Sequence, residues 1–152
     1  MIAITEQDFF VTVNHINSDS VSWQTGFMQS VIWQVKKSEG YLGEAINTVV
    51  HNDVNFQGKL VRNLLPVKGG FDIKNHEMYF ISNRNFDLAN DTFFIVKIAE
   101  SLEQNEDPSF TVQSVLANQE YGMPPDAKQT ASTFLQTNDA RPLSGLIENG
   151  VI

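Results

Sequence analysis

The chain of 152 residues has no cysteine. That excludes disulfides, thiolate metal centres and a cysteine nucleophile, and it leaves the redox compartment open. Charge is also scarce, at 18% of residues against roughly 25% in an average domain. Basic side chains are scarcest: 10 Lys and Arg face 18 Asp and Glu, for a formal net charge of −8. Lys36-Lys37 is the one adjacent basic pair. A salt-dependent nucleic-acid complex needs several cations per site, so no nucleic-acid partner is expected. Long apolar runs are missing too. The longest, Phe93-Phe94-Ile95-Val96, is strand-length, far below the ~20 residues of a spanning helix, and no membrane partner is expected. Glu6 and Asp8 follow Met1 closely, with no basic region and no apolar stretch of a signal peptide. The expectation is synthesis in the cytoplasm, with residence there or in a virion.

Amides and hydroxyls fill the gap that charge leaves. Asn, Gln, Ser and Thr number 14, 10, 11 and 9. Such a surface costs less to bury against a neighbour than a charged one.

Hydrophobic periodicity points to strands. In residues 9–16, Phe9, Val11 and Val13 alternate with Phe10, Thr12 and Asn14. Asn17-Ser18-Asp19-Ser20 reads as a turn. Residues 21–37 carry two patterns. Trp23, Phe27, Val31 and Val35 make a helical stripe, whereas Val31, Trp33 and Val35 alternate as a strand would. The favoured reading is a strand over 29–37 followed by a hairpin loop at Ser38-Glu39-Gly40. Residues 41–65 are equally divided between helix and strand, as two short elements joined near 51–54. Lys68-Gly69-Gly70 and Lys74-Asn75-His76 read as turns around 71–73. Residues 78–81, 92–99 and 110–116 read as strands, and 92–99 is apolar on both alternate sets, as in a central strand. Pro124-Pro125-Asp126 opens a predicted short helix whose stripe is Ala127, Ala131, Phe134 and Leu135.

The fold class is therefore mainly β: an antiparallel sandwich or barrel-like domain with one or two short helices and an extended C-terminal arm. Residues 1–120 form the β-rich domain. Residues 121–152 form the arm, which packs back on that domain or docks on a neighbour.

Motifs for catalysis are absent. His15, His51 and His76 lie too far apart for a local metal motif. Asp53-Val54-Asn55-Phe56-Gln57-Gly58 resembles the start of a calcium loop, but its twelfth position is Leu64 instead of a bidentate acid, so a turn is the better reading. There is no G-x-S-x-G elbow, P-loop or dinucleotide fingerprint. No enzyme activity, cofactor or metal is expected. Glu100, Glu103, Glu106 and Asp107 form the densest acidic run, a weak patch for a cation or basic partner or simply a solvated loop. Trp23, Trp33, Tyr41, Tyr79 and Tyr121 could stack on sugars, although Phe dominates the aromatics and has no polar handle.

The sequence points to a non-enzymatic subunit of a larger oligomeric particle, such as a phage virion or tail component, with protein partners that are copies of itself or neighbouring subunits. Phe134, Leu135, Leu143, Leu146 and Ile147 are the expected interaction residues, since a short apolar segment seeks a surface. The alternative is a small acidic binding module, of the inhibitor, immunity or glycan-binding type.

Overall fold

A computed structural model describes residues 1–22, 25–69, 76–130 and 133–152. The elements in order are β1 (Ile2–Ile4), β2 (Asp8–Ile16), β3 (Phe27–Lys36), α1 (Lys37–Leu42), β4 (Thr48–His51), β5 (Asn55–Phe56), β6 (Lys59–Leu60), β7 (Leu65–Pro66) and β8 (Lys68–Gly69). They continue with β9 (Met78–Asn83), β10 (Asn90–Ile98), β11 (Phe110–Tyr121), β12 (Ala127–Lys128), β13 (Phe134–Leu135) and β14 (Leu146–Ile147). Two four-stranded antiparallel sheets, β1-β2-β3-β4 and β11-β10-β9-β7, form a sandwich.

Each inner face follows from alternation. Phe10 and Thr12 of β2 lie beside Gln34 and Ile32 of β3. In the second sheet the inward rows are Ser82–Phe94–Ser114, Phe80–Val96–Val112 and Met78–Ile98–Phe110. The layers meet where Phe10 points edge-on at Phe80, with ring centroids 6.1 Å apart. Val54, Val61 and Leu64 of the crossing segment join the same core. Thr12 Oγ1 ties that segment down by donating to the Leu64 carbonyl at 3.0 Å. The crossing segment includes a β5–β6 hairpin turned by Gln57 and Gly58, both at positive φ, the geometry of a two-residue type I′ turn.

The strand expectations for 9–16, 29–37, 78–81, 92–99 and 110–116 correspond to β2, β3, β9, β10 and β11. β10 is central, between β9 and β11. Several local readings are corrected. Residues 38–40 are not a tight hairpin loop but part of α1, a short helix ended by Gly43 in the left-handed conformation. Within 41–65 the helical option holds only for Tyr41 and Leu42 at the end of α1, because Thr48-Val49-Val50 is β-branched and pairs with Val35, Gln34 and Trp33 in turn.

The helix expected after Pro124 is also absent among the described residues. Ala127 and Lys128 pair instead with Leu135 and Phe134 as two short strands. A helix that short needs a buried face, and Phe134 and Leu135 remain exposed. Trp23, Ala131 and the parts of the predicted turns within 70–75 fall outside the described residues.

Candidate interaction face

The outer face of the first sheet is built by the residues that alternate with the core. Register places Ile4, Phe9, Val35 and Thr48 in one row and Ile2, Val11, Trp33 and Val50 in the next. Val13–Val31 and then His15–Gln29 extend it. From Ile2 to Val50 this surface carries no ionisable side chain apart from His15 at its end. Ile2 is 60% exposed, Ile4 52% and Val50 47%. Val31 alone among these outward residues is fully covered, at 1%. The Trp33 ring lies 6.4 Å from that of His15, a placement that spans the Val13–Val31 row. Tyr41, Leu42 and Ile46, between β3 and β4 in the chain, are also exposed.

With strands about 4.8 Å apart and about 3.3 Å per residue, the two full rows and their flanks cover roughly 300–400 Å². That matches the largest apolar patches of ordinary monomers, which are often functional. It is also the size of the dry centre of a standard interface, where each partner buries about 800 Å² including a polar rim.

Beneath this face, at one end of the sandwich, a buried polar chain joins the two sheets. Gln34 Nε2 donates to Asp8 Oδ2 at 2.7 Å and to the Glu100 carbonyl at 3.0 Å. His51 Nε2 lies 3.0 Å from Gln34 Oε1, and the Leu102 N–H donates to Asp8 Oδ2 at 3.1 Å. Burial pushes the Asp8 carboxyl above its ordinary range, against the Gln34 and Leu102 hydrogen bonds that lower it. Burial pushes His51 down, with Asp107 acting the other way. Asp8 and Gln34 are fully buried, so this chain fastens the layers and offers no surface to a substrate.

The sequence-predicted residues fall elsewhere. Phe134, Leu135, Leu143 and Leu146 are exposed, while Ile147 is half-buried in β14 beside β8. Glu100, Glu103, Glu106 and Asp107 are all exposed on the loop after β10. They do not converge. Glu103 pairs with Lys36 at 3.1 Å and accepts from Ser38, and Glu100 accepts from Asn105 at 2.8 Å. No group of acids or histidines able to hold a metal occurs among the described residues. His15 is exposed and His51 buried, and no metal-holding group includes either, or His76.

The apolar character of the outer face is visible in the sequence. Both alternate sets of β2 begin apolar, and β3 has Val31, Trp33 and Val35 opposite its inward Ile32. A two-sided apolar strand pair needs a cover on each side.

No known family, curated protein or solved structure matches the chain. Among the described residues, no helix is long and apolar enough to cross a membrane.

Proposed function

We propose that this chain is a non-enzymatic assembly subunit whose first sheet packs face to face on a second copy. The observation that carries the reading is the apolar outer face of β1–β4, with Ile2, Ile4 and Val50 about half exposed. A partner of opposite charge would leave charged anchors on this surface, and it has none between Ile2 and Val50. Two copies of a chain with net charge −8 repel each other. A neutral contact face is where that repulsion is smallest. A two-fold axis sets the same apolar patch against itself, and two packed sheets lie about 10 Å apart. His15, Gln29 and Thr48 would supply the polar rim. The low charge and the abundance of amides suit a particle built of many such contacts, of the virion or phage-tail kind.

Size-exclusion chromatography with light scattering tests the reading. The native chain should run as a dimer or larger. The double variant Ile2→Glu with Val50→Glu should run as a folded monomer whose unfolding midpoint no longer depends on protein concentration, because both positions are open to solvent. A native chain that stays monomeric at about 1 mM, a concentration that populates even weak dimers, overturns it.

A further inference from the structure

The chain contains 14 asparagines, and only Asn149 is followed by glycine. The pair forms the centre of a turn in the tail, just after β14. Glu148 and Val151 exchange both backbone hydrogen bonds around it, at 2.9 and 3.0 Å. Asn149 and Gly150 both have positive φ, 51° and 77°, as in a two-residue type I′ turn. Glycine takes such a φ without strain, and asparagine tolerates it better than most residues. The bridge between Glu148 and Val151 is isolated, with no longer ladder continuing from it.

The surroundings of this pair leave its reacting groups unrestrained. The turn uses the N–H groups of Glu148 and Val151, and among the described residues the Gly150 N–H has no acceptor. The Asn149 side-chain amide has no hydrogen-bond partner among them either, and both residues are exposed. A Cβ placed on Gly150 would meet nothing within 4 Å, so the space around its nitrogen is open. Other asparagines differ on these points. Asn17 precedes the small Ser18, but its Oδ1 accepts the Asp19 N–H at 3.0 Å. Asn63 shares the positive φ, yet it precedes the bulky Leu64 and its Oδ1 accepts from Asn14 at 2.6 Å. Asn138, also at positive φ, precedes Asp139, whose side chain crowds the next nitrogen.

We propose that Asn149 is a self-modification site, at which the Gly150 backbone nitrogen displaces the asparagine side-chain amide. The nitrogen gives up its proton and attacks Asn149 Cγ. The N–Cγ bond forms, the Cγ–Nδ2 bond breaks, and ammonia leaves with a proton in place of the one lost, closing a five-membered imide. Water then opens the ring. Addition at Cγ breaks the new bond and gives aspartate. Addition at the Asn149 main-chain carbonyl breaks the original peptide bond and gives isoaspartate, whose chain runs through the former side chain. Water is the only co-reactant. Ring closure requires the Asn149 ψ torsion to leave its turn value, so the turn must open first. Two backbone hydrogen bonds resist that, which slows the native chain no more than about a hundredfold relative to an unfolded one. Either product adds a negative charge to a chain already at −8. Isoaspartate also adds a methylene to the main chain, so the loop no longer returns Val151 to Glu148 in register. The change is irreversible and marks the age of the molecule.

The test incubates the full chain at neutral and at alkaline pH, with a parallel sample unfolded in urea, and follows each asparagine by peptide mass spectrometry. Asn149 should convert first in the native chain, at least about tenfold faster than Asn17, and faster in proportion to hydroxide. Both aspartate and isoaspartate should form. Gly150→Ala should slow conversion by about tenfold or more, because its methyl group crowds the attacking nitrogen. Asn149→Gln, which would need a six-membered ring, should leave the position unchanged over the same period. Melting curves establish that both variants are folded. Conversion of another asparagine ahead of Asn149 in the native chain overturns the proposal. So does a native rate more than about a hundredfold below that in urea, since the turn would then protect the site. Aspartate without isoaspartate overturns the imide route, because direct hydrolysis of the amide gives aspartate alone.

Discussion

The two sheets present outer faces of opposite character. The first leaves Ile2, Ile4 and Val50 about half exposed. The second is roofed by the chain itself. Asn83 on its outer side donates to the Ala140 carbonyl, and the Ala140 N–H donates to the Asn85 carbonyl at 3.2 Å. Gly145 sits directly on Ile81 and Val67, and β14 then pairs parallel with β8. Tyr121 covers Phe93 at 5.1 Å between centroids, its hydroxyl donating to the Thr92 carbonyl and accepting from the Arg84 N–H. Where the roof ends, the face turns ionic: Lys97 pairs with Glu77 at 2.7 Å, and Tyr79 donates to the same carboxylate. The difference teaches that, among the described residues, the chain's own tail covers the second face and leaves much of the first in contact with solvent.

The sharpest way to break the contrast is to delete residues 139–152. Ile81, Val67 and Asn83 would then be bare, and the Arg141–Asp139 pair lost. The expected cost is on the order of 3–5 kcal/mol, a large part of a typical domain's ~5–15 kcal/mol, read by urea unfolding with increased binding of an apolar dye. Next comes Gly122→Ala at the start of the roof. A Cβ there would meet the Leu88 carbonyl oxygen at 2.1 Å, and backbone cannot yield as a side chain can. About 1–3 kcal/mol of destabilisation should follow, or a midpoint lower by roughly 2–4 °C per kcal/mol.

A smaller effect is expected at the seam between the sheets. Folding raises the Asp8 pKa, so its contribution is fully present below the unfolded carboxylate range and is lost as pH rises through the raised value. Asp8→Asn should match the parent in mild acid and gain on it towards neutrality, measured as urea midpoints from about pH 4 to about pH 7. His51, lowered by burial, acts in the other direction: its contribution is present above the unfolded histidine range and lost as pH falls towards the lowered value. The smallest change should come from Gly145→Ala. Its Cβ would press on the Ile81 and Val67 methyl groups at 3.0 and 3.2 Å, which can give way, for less than about 1 kcal/mol by melting curve.

Much of the sandwich is legible in the sequence because alternation is local. Phe94, Val96 and Ile98 announce β10 without reference to anything else. What fails is whatever depends on a distant partner. The stripe Ala127, Phe134, Leu135 satisfies a helix on paper, yet Phe134 and Leu135 find no surface to bury it against. Phe134, Leu135, Leu143 and Leu146 are exposed as the sequence suggests for contact residues, and a second apolar surface lies on β1–β4, where it shows only after strand order is known.

The roof over the second sheet also sets an order of events during synthesis. The first sheet is complete once His51 has emerged, whereas Ala140 follows about ninety residues later. At the ~5–20 residues per second of translation, roughly 4–18 s pass in between. Through most of that interval the second sheet is still being made, so with chains growing side by side on one message, the neutral first sheet is the earliest surface one nascent copy can offer another.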